Sequence, residues 1–308
     1  MKYSIVIPAK DEGKNLARCL DALKNLDCPK EDFEIIVVDN GSTDNTVEIA
    51  KSFGIGVYER PDLSLSGLRN YGAEFAKGET LAFLDADCIA EKDWLANASA
   101  TLLDPRAGCT GSTPIAPDQG PWVEKIWSSF RTRKRNRCRG LWINSSNFIV
   151  RRELFEKIDG FNDMVKTCED VDICLRLQKV CDIIYDPSVK VVHLGEPKNI
   201  TQFFHKEVWR GKGYWSGLKS HGFVPSELKS ILLPLYYIVM AVLFVGLLIS
   251  QGIDRWEGAA LMATLYFGPA ILFSIWISQT TGMWRYFIGY FVLFIVYANA
   301  RAFALIQR

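Results

Sequence analysis

The sequence predicts an α/β fold, a sheet flanked by helices, followed by C-terminal helices that are apolar throughout. Three observations carry this. Strand and helix signals alternate from the start of the chain to about position 84. The apolar run Thr80–Leu84 then closes on Asp85-Ala86-Asp87. Side chains at i and i+2 share a face in a strand, so this aims two carboxylates together from a carboxyl end, where open α/β sheets bind ligands. After Lys229 the composition changes from mixed and charged to three long apolar stretches.

Taken in order, Tyr3–Pro8 reads as a strand and Glu12–Leu26 has helical periodicity. Phe33–Val38 is a second strand ending at Asp39, after which Ser42-Thr43-Asp44 caps a helix to about Phe53. Ile55–Glu59 is strand-like, Ser66–Lys77 helical, and Thr80–Leu84 a buried strand of the parallel type. Glu91–Leu103 then reads as helix, Ala107–Pro114 as strand, and Pro121–Arg139 as one helix, very basic toward its end. Asn147–Val150 is strand-like, and Arg151–Ile158 and Glu169–Lys179 are helical. Asp182–Tyr185 and Lys190–His193 are short strands, and Ile200–Leu218 is a helix leading to the apolar region. The expected division is an α/β domain over 1–220, a juxtamembrane linker over 221–230 and a membrane domain over 231–308.

Ile231–Ser250 and Gly258–Ile277 each provide the roughly 20 apolar residues that a bilayer span requires. Trp284–Ile306 carries Asn299 and Arg301 and reads either as a span with a snorkelling tail or as an interfacial helix. The expectation is therefore a multi-pass membrane protein with two to three transmembrane helices. Met1 and Lys2 lead at once into the first strand without a signal peptide, which puts the first domain in the cytoplasm. Lys206, Arg210, Lys212, Lys219 and Lys229, just before the first span, agree with that orientation.

The 308 residues carry a formal net charge of +1, so no global attraction to polyanions is expected. The basic run from Arg131 to Arg139 is either a solvated helical face or a contact for anionic headgroups or a phosphate-bearing acceptor. No nucleic-acid module accompanies it. Eight cysteines without a CxxC pair read as reduced thiols.

Four polar clusters follow the strands: Pro8-Ala9-Lys10-Asp11-Glu12, Asp39-Asn40-Gly41-Ser42-Thr43-Asp44, Gly67-Leu68-Arg69-Asn70-Tyr71-Gly72 and Asp85-Ala86-Asp87. Each alone suits a turn or a helix cap. Together they open onto one sheet edge, and the paired carboxylate oxygens suit a hard divalent cation such as Mg²⁺ or Mn²⁺. GxGxxG and the P-loop are both absent.

The motifs IVIPAKDE, VVDNGSTDNT, GLRNYGAEFAKGETLAFLDADC and CEDVDICLRL lie in this order within about residues 3–220 and resemble the family 2 glycosyltransferases of the GT-A fold. The resemblance implies a Rossmann-like mixed sheet that binds a nucleotide-sugar, a UDP-sugar being the first donor expected. It implies inverting transfer of a single sugar to a lipid-linked or cell-surface glycan acceptor at the membrane. Pro8, Asp11 and Glu12 would border the base and Asp39 would accept a hydrogen bond from it. Arg69 and Asn70 would lie near the nucleoside and diphosphate, Asp85 would face the ribose, and Asp87 would hold the cation. Asp170, beside Glu169, would be the base that takes the proton of the acceptor hydroxyl.

His193 falls where many relatives place a histidine on the metal or diphosphate, and reads either as a ligand or as a structural histidine. Trp142 lies in a stretch matching the acceptor-side loop, where it stacks on a sugar, borders a lipid or belongs to the core. Arg210 is a candidate diphosphate contact, although Trp209-Arg210-Gly211 is not the processive QxxRW motif. Three alternatives stay open. A polyprenyl-phosphate sugar synthase is the nearest. A sugar nucleotidyltransferase lacks support because no Gly-rich basic loop follows the first strand. A non-catalytic membrane scaffold has no need of clustered like charges. No oligomeric state is implied.

Overall fold

The computed structural model describes residues 1–132, 136–140, 142–165, 168–212, 228–251 and 256–307. The chain forms two compact units, one of Met1–Pro117 with Lys134–Glu196 and one of Asp118–Arg133 with Pro197–Arg308.

The first unit begins with the predicted alternation: β1 (Tyr3–Ala9), α1 (Gly13–Lys24), β2 (Phe33–Asp39), α2 (Thr46–Ser52), β3 (Val57–Glu59), α3 (Leu65–Phe75) and β4 (Thr80–Leu84). All seven residues of β1 are buried, which is why this stretch reads as continuous apolar sequence rather than as an alternating strand. There follow β5 (Cys88–Ala90), α4 (Trp94–Leu102) and β6 (Ala107–Gly111). The chain then passes through α5 (Trp122–Thr132) of the second unit and returns as β7 (Cys138–Arg139), β8 (Asn147–Arg151), α6 (Arg152–Lys157), α7 (Glu169–Leu177), β9 (Asp182–Tyr185) and β10 (Val191–His193).

Eight strands form one sheet in the order β3-β2-β1-β4-β8-β6-β9-β7. The first four are mutually parallel, and β8 is antiparallel to both β4 and β6, so the sheet is mixed as expected. The carboxyl ends of β1, β2 and β4 consequently share one edge with the amino end of β8. A core containing Leu16, Leu20, Trp94 and Ala98 packs on one face, and one containing Leu68, Phe83, Phe155 and Ile173 on the other. A second, two-stranded antiparallel sheet pairs β5 with β10 and sets His193 opposite Cys88.

The predicted basic helix Pro121–Arg139 is corrected by the structure. Helix α5 ends at Thr132, and Cys138 and Arg139 form a strand against Tyr185 and Ile184. Arg139 pairs with Asp182, and Arg137 lies 3.6 Å from Asp186. Two of the basic side chains are thus bound to carboxylates of their own unit. Residues 133–135 of the run lie outside the described residues, as do 213–227, which hold the end of the helix expected to Leu218 and most of the expected linker.

The second unit comprises α5 with α8 (Ile200–Lys212), α9 (Leu228–Gln251), α10 (Trp256–Thr281) and α11 (Phe287–Ile306). The segments Glu257–Thr281 and Trp284–Ile306 are long and apolar enough to cross a membrane. Tyr237 of α9 donates to the Tyr266 carbonyl at 3.1 Å, and Tyr266 of α10 donates to Asn299 Oδ1 at 2.8 Å, which ties three apolar helices together by polar groups. Arg301 of α11 is held 2.9 Å from the fully buried Glu207 of α8.

Candidate active site

The loops after β1 and β2 are laced to each other. The Asp11 carboxylate accepts from the Thr43 amide at 2.7 Å and from the Thr43 hydroxyl at 3.1 Å, and the Asp11 amide donates to Ser42 Oγ at 2.9 Å. The Thr43 amide bond, the largest influence, keeps the Asp11 carboxyl below its ordinary range. Asp11 takes a left-handed backbone at φ 52°, a conformation that aspartate tolerates better than most residues. Asp44 accepts from the Gly13 amide at 3.1 Å and from the Thr46 amide at 3.0 Å. The expected cap of α2 therefore resides in Asp44, one residue ahead of the helix N-cap Asn45. Asp39 is buried at the end of β2 and accepts from the Ser42 amide at 2.8 Å and from the Ser42 hydroxyl. Pro8 is buried within β1, opposite Val38.

Two further predicted site residues, Arg69 and Asn70 on α3, face inward. Arg69 is fully buried, 2.8 Å from Asp85 and 3.1 Å from Glu169. Burial acts to lower the guanidinium pKa, but the two carboxylates more than offset this and raise it. Glu169 also accepts from Ser145 Oγ at 2.9 Å. A single buried cation thus ties the carboxylate after β4 to the first residue of α7. Asn70 clasps the backbone of Phe161, donating to its carbonyl and accepting from its amide, both at 2.8 Å. Arg69 is fully buried and Asn70 half-buried.

At the head of α7, Cys168 is left-handed at φ 66° and turns the chain sharply into Glu169 and Asp170. Asp170 is partly exposed in the first turn, where the helix dipole favours a carboxylate. Asp172 and Arg176 form the predicted i,i+4 ion pair at 2.7 Å. Arg176 also donates to the carbonyls of Ile158 at 2.6 Å and Gly160 at 2.7 Å, which fixes the loop that Asn70 grips.

Asp87 and His193 are brought together by the β5–β10 pairing. The Leu194 amide donates to the Asp87 carbonyl at 2.8 Å, and His193 Nε2 lies 3.2 Å from Asp87 Oδ2. His193 Nδ1 lies 3.2 Å from Glu196 Oε1. Burial would lower the imidazole pKa, but hydrogen bonding to Asp87 and Glu196 outweighs it and raises the pKa to about 9. Glu12 is close enough for Asp87 to add to the burial that raises its own pKa. Donor atoms of Asp87, Cys88 and His193 lie within 4.8 Å of one another.

The donor set fits a divalent cation at two of these three positions. A carboxylate and an imidazole, once the metal displaces its proton, leave further coordination sites for oxygen ligands. The Cys88 thiol is different: it is buried, burial raises its pKa well above the ordinary value, and a soft sulfur suits Mg²⁺ or Mn²⁺ less than oxygen does.

Trp142 is 40% exposed in the first unit, next to Ile143, whose amide contacts Cys174 Sγ at 3.4 Å. Arg210 belongs to the second unit and pairs there with Glu207. Sequence reasoning missed Glu196, Ser145 and Gly195. A carboxylate three residues after His193 is the sequence signal for the first, and Ser145 and Gly195 lie in the stretches around Trp142 and His193.

Residues 4–159, just over half of the chain, match the family model Glycosyl transferase family 2. Glycosyltransferase AglE of Haloferax volcanii is 30% identical over 179 residues, which cover 54% of this chain and 58% of that protein. A PGL/p-HBAD biosynthesis glycosyltransferase of Mycobacterium tuberculosis is 30% identical over 183 residues, 56% of this chain and 68% of that one. Among solved structures, the mannosyltransferase PcManGT from Pyrobaculum calidifontis, in complex with GDP-Man and Mn²⁺, superposes with a TM-score of 0.64. The superposition covers 98% of this chain and 87% of that one at 19% identity, and so supports the GT-A fold. By the family-model match over residues 4–159, the chain belongs to glycosyl transferase family 2.

Proposed function

We propose that the protein transfers a single sugar from a nucleoside-diphosphate sugar to a lipid-linked or membrane-proximal acceptor, with inversion at the anomeric carbon. The observation that carries this is the Asp85–Arg69–Glu169 bridge, which ties the carboxylate after β4 to the helix that presents Asp170. Asp85 would receive the ribose hydroxyls. Pro8, Asp11, Glu12 and Asp39 would border the base, with Asp39 using carboxylate lone pairs that Ser42 leaves open.

Asp87 and His193 would hold Mg²⁺ or Mn²⁺. A cation there supplies charge neutralisation for the diphosphate leaving group. Asp170 takes the acceptor hydroxyl proton as that oxygen bonds to the anomeric carbon, while the bond to the diphosphate breaks and its electron pair departs with the leaving oxygen. Arg69 and Asn70 would lie near the nucleoside and diphosphate, with Arg69 also holding Asp85 and Glu169. Trp142, exposed, suits stacking on an acceptor sugar, and Glu169 keeps Asp170 in register through Arg69 and Ser145.

The apolar helices α9, α10 and α11 would attach the chain to a membrane, with residues 1–220 in the cytoplasm, a linker over 221–230 and the membrane domain over 231–308. UDP-sugars come first among donors, and GDP-mannose belongs in the same panel because PcManGT was solved with it. Asp170→Asn tests the reading. It should abolish transfer to a hydroxyl acceptor and leave nucleotide binding nearly intact, and normal turnover by this variant would sink the assignment. The apolar helices also favour a second acceptor, polyprenyl phosphate, which is already ionised and needs a base less. Turnover by Asp170→Asn on that acceptor alone would identify a polyprenyl-phosphate sugar synthase.

A further inference from the structure

A histidine that gives Nε2 to a cation must carry its proton on Nδ1, and in a buried place that N–H needs an acceptor. The chain brings a carboxylate within ion-pair distance of Nδ1 three residues later, outside straight hydrogen-bond geometry. β10 ends at His193, and the turn through Leu194 and Gly195 is pinned to Asp87 by the Leu194 amide. This turn folds Glu196 back until Oε1 is 3.2 Å from His193 Nδ1, with the Glu196 side chain only 3% exposed. A carboxylate is costly to bury unless its charge is used. On the other side of the ring, Nε2 is directed at the Asp87 carboxylate, 3.2 Å away. A carboxylate oxygen thus lies 3.2 Å from each ring nitrogen, Glu196 at Nδ1 and Asp87 at Nε2.

We propose that Glu196 is a positioning residue for the cation site. It fixes the ring plane and the tautomer of His193 so that Nε2, beside Asp87, faces the metal. This rests on the reading of Asp87 and His193 as cation ligands. Glu196 touches neither donor nor acceptor and acts only through the imidazole.

The test is calorimetric titration of Mn²⁺, without donor, into the full chain and its Glu196→Ala, Glu196→Gln, His193→Ala and His193→Ala/Glu196→Ala variants. Glu196→Ala should weaken Mn²⁺ about 10- to 100-fold, the range for loss of a carboxylate behind a ligating histidine. Glu196→Gln keeps the shape and an acceptor oxygen, and should lose measurably less. The double variant should bind no worse than His193→Ala alone, because Glu196 has no route to the metal except the ring. Wild-type affinity in both Glu196 variants, with His193→Ala weakened, would overturn the inference, as would additive losses in the double variant. Asp87→Ala in the same series isolates the underlying reading. If it too binds Mn²⁺ like the wild type, the cation site itself is wrong, whatever Glu196 does.

Discussion

Gly195 sits against the Asp87 carboxylate so closely that a Cβ there would overlap Oδ2. Gly195→Ala should therefore displace Asp87 and sharply reduce Mn²⁺ affinity in a titration, while the thermal unfolding midpoint changes little. Arg69 carries the opposite expectation. Arg69→Met leaves Asp85 and Glu169 as poorly solvated carboxylates without their cation, a change that costs about 3–5 kcal/mol when a buried pair is broken. Denaturant unfolding should register that loss, and an unchanged midpoint would show the bridge to be dispensable. These two residues mark where sequence reasoning ends. The strand reading of Asp85 and Asp87 is corrected by the structure: both lie in the turn between β4 and β5, where Asp85 meets Arg69 and Asp87 meets His193, and Asp170 was singled out through its motif's resemblance to the family. That Arg69 and Asn70 turn inward depends on how α3 packs against Phe161 and α7, contacts about a hundred positions away in the chain. Local pattern does not encode them.

At the scale of elements, the strands and helices of the first 84 residues were predicted nearly as they stand, because burial on both faces and Asp/Ser/Thr-rich turns leave clear periodicities. The stretch from Pro121 to Arg139 was not. Its arginines have high helix propensity, yet Arg137 and Arg139 find carboxylates on β9 and its exit, and tertiary pairing outweighs propensity. The pairing of β5 with β10, which creates the Asp87–His193 site, was equally hidden, since two three-residue strands a hundred positions apart carry little pattern of their own. In the second unit, α8 and α11 are joined by Glu207, fully buried between Arg210 and Arg301. Arg301→Met should lower stability by about 3–5 kcal/mol, because it strips the buried carboxylate of one partner. Adding Glu207→Gln to that variant should recover much of the loss. Thermal unfolding in detergent measures both, and equal midpoints for the single and double variants would refute the coupling.

At the scale of the whole molecule, composition divides the chain near Lys229, whereas the second compact unit also takes in residues 118–133 and begins its last stretch at Pro197. The exchange of α5 into the helical unit could not be read from sequence, because its amphipathic pattern suits either. If the apolar helices enter a bilayer, the expressed chain should sediment with membranes and stay there through an alkaline carbonate wash, needing detergent for release. Release by carbonate would contradict membrane insertion and leave the catalytic reading untouched. The central claim is that the edge formed by β1, β2 and β4 is a cation-dependent nucleotide-sugar site. The most direct measurement is calorimetric binding of UDP and GDP to the full chain in Mn²⁺ and in EDTA, with Asp87→Ala alongside. The account predicts that at least one nucleotide binds in Mn²⁺ and is clearly weakened by EDTA, and that Asp87→Ala in Mn²⁺ behaves like the wild type in EDTA. Absence of binding by either nucleotide, or full Mn²⁺-dependent affinity in Asp87→Ala, would contradict it.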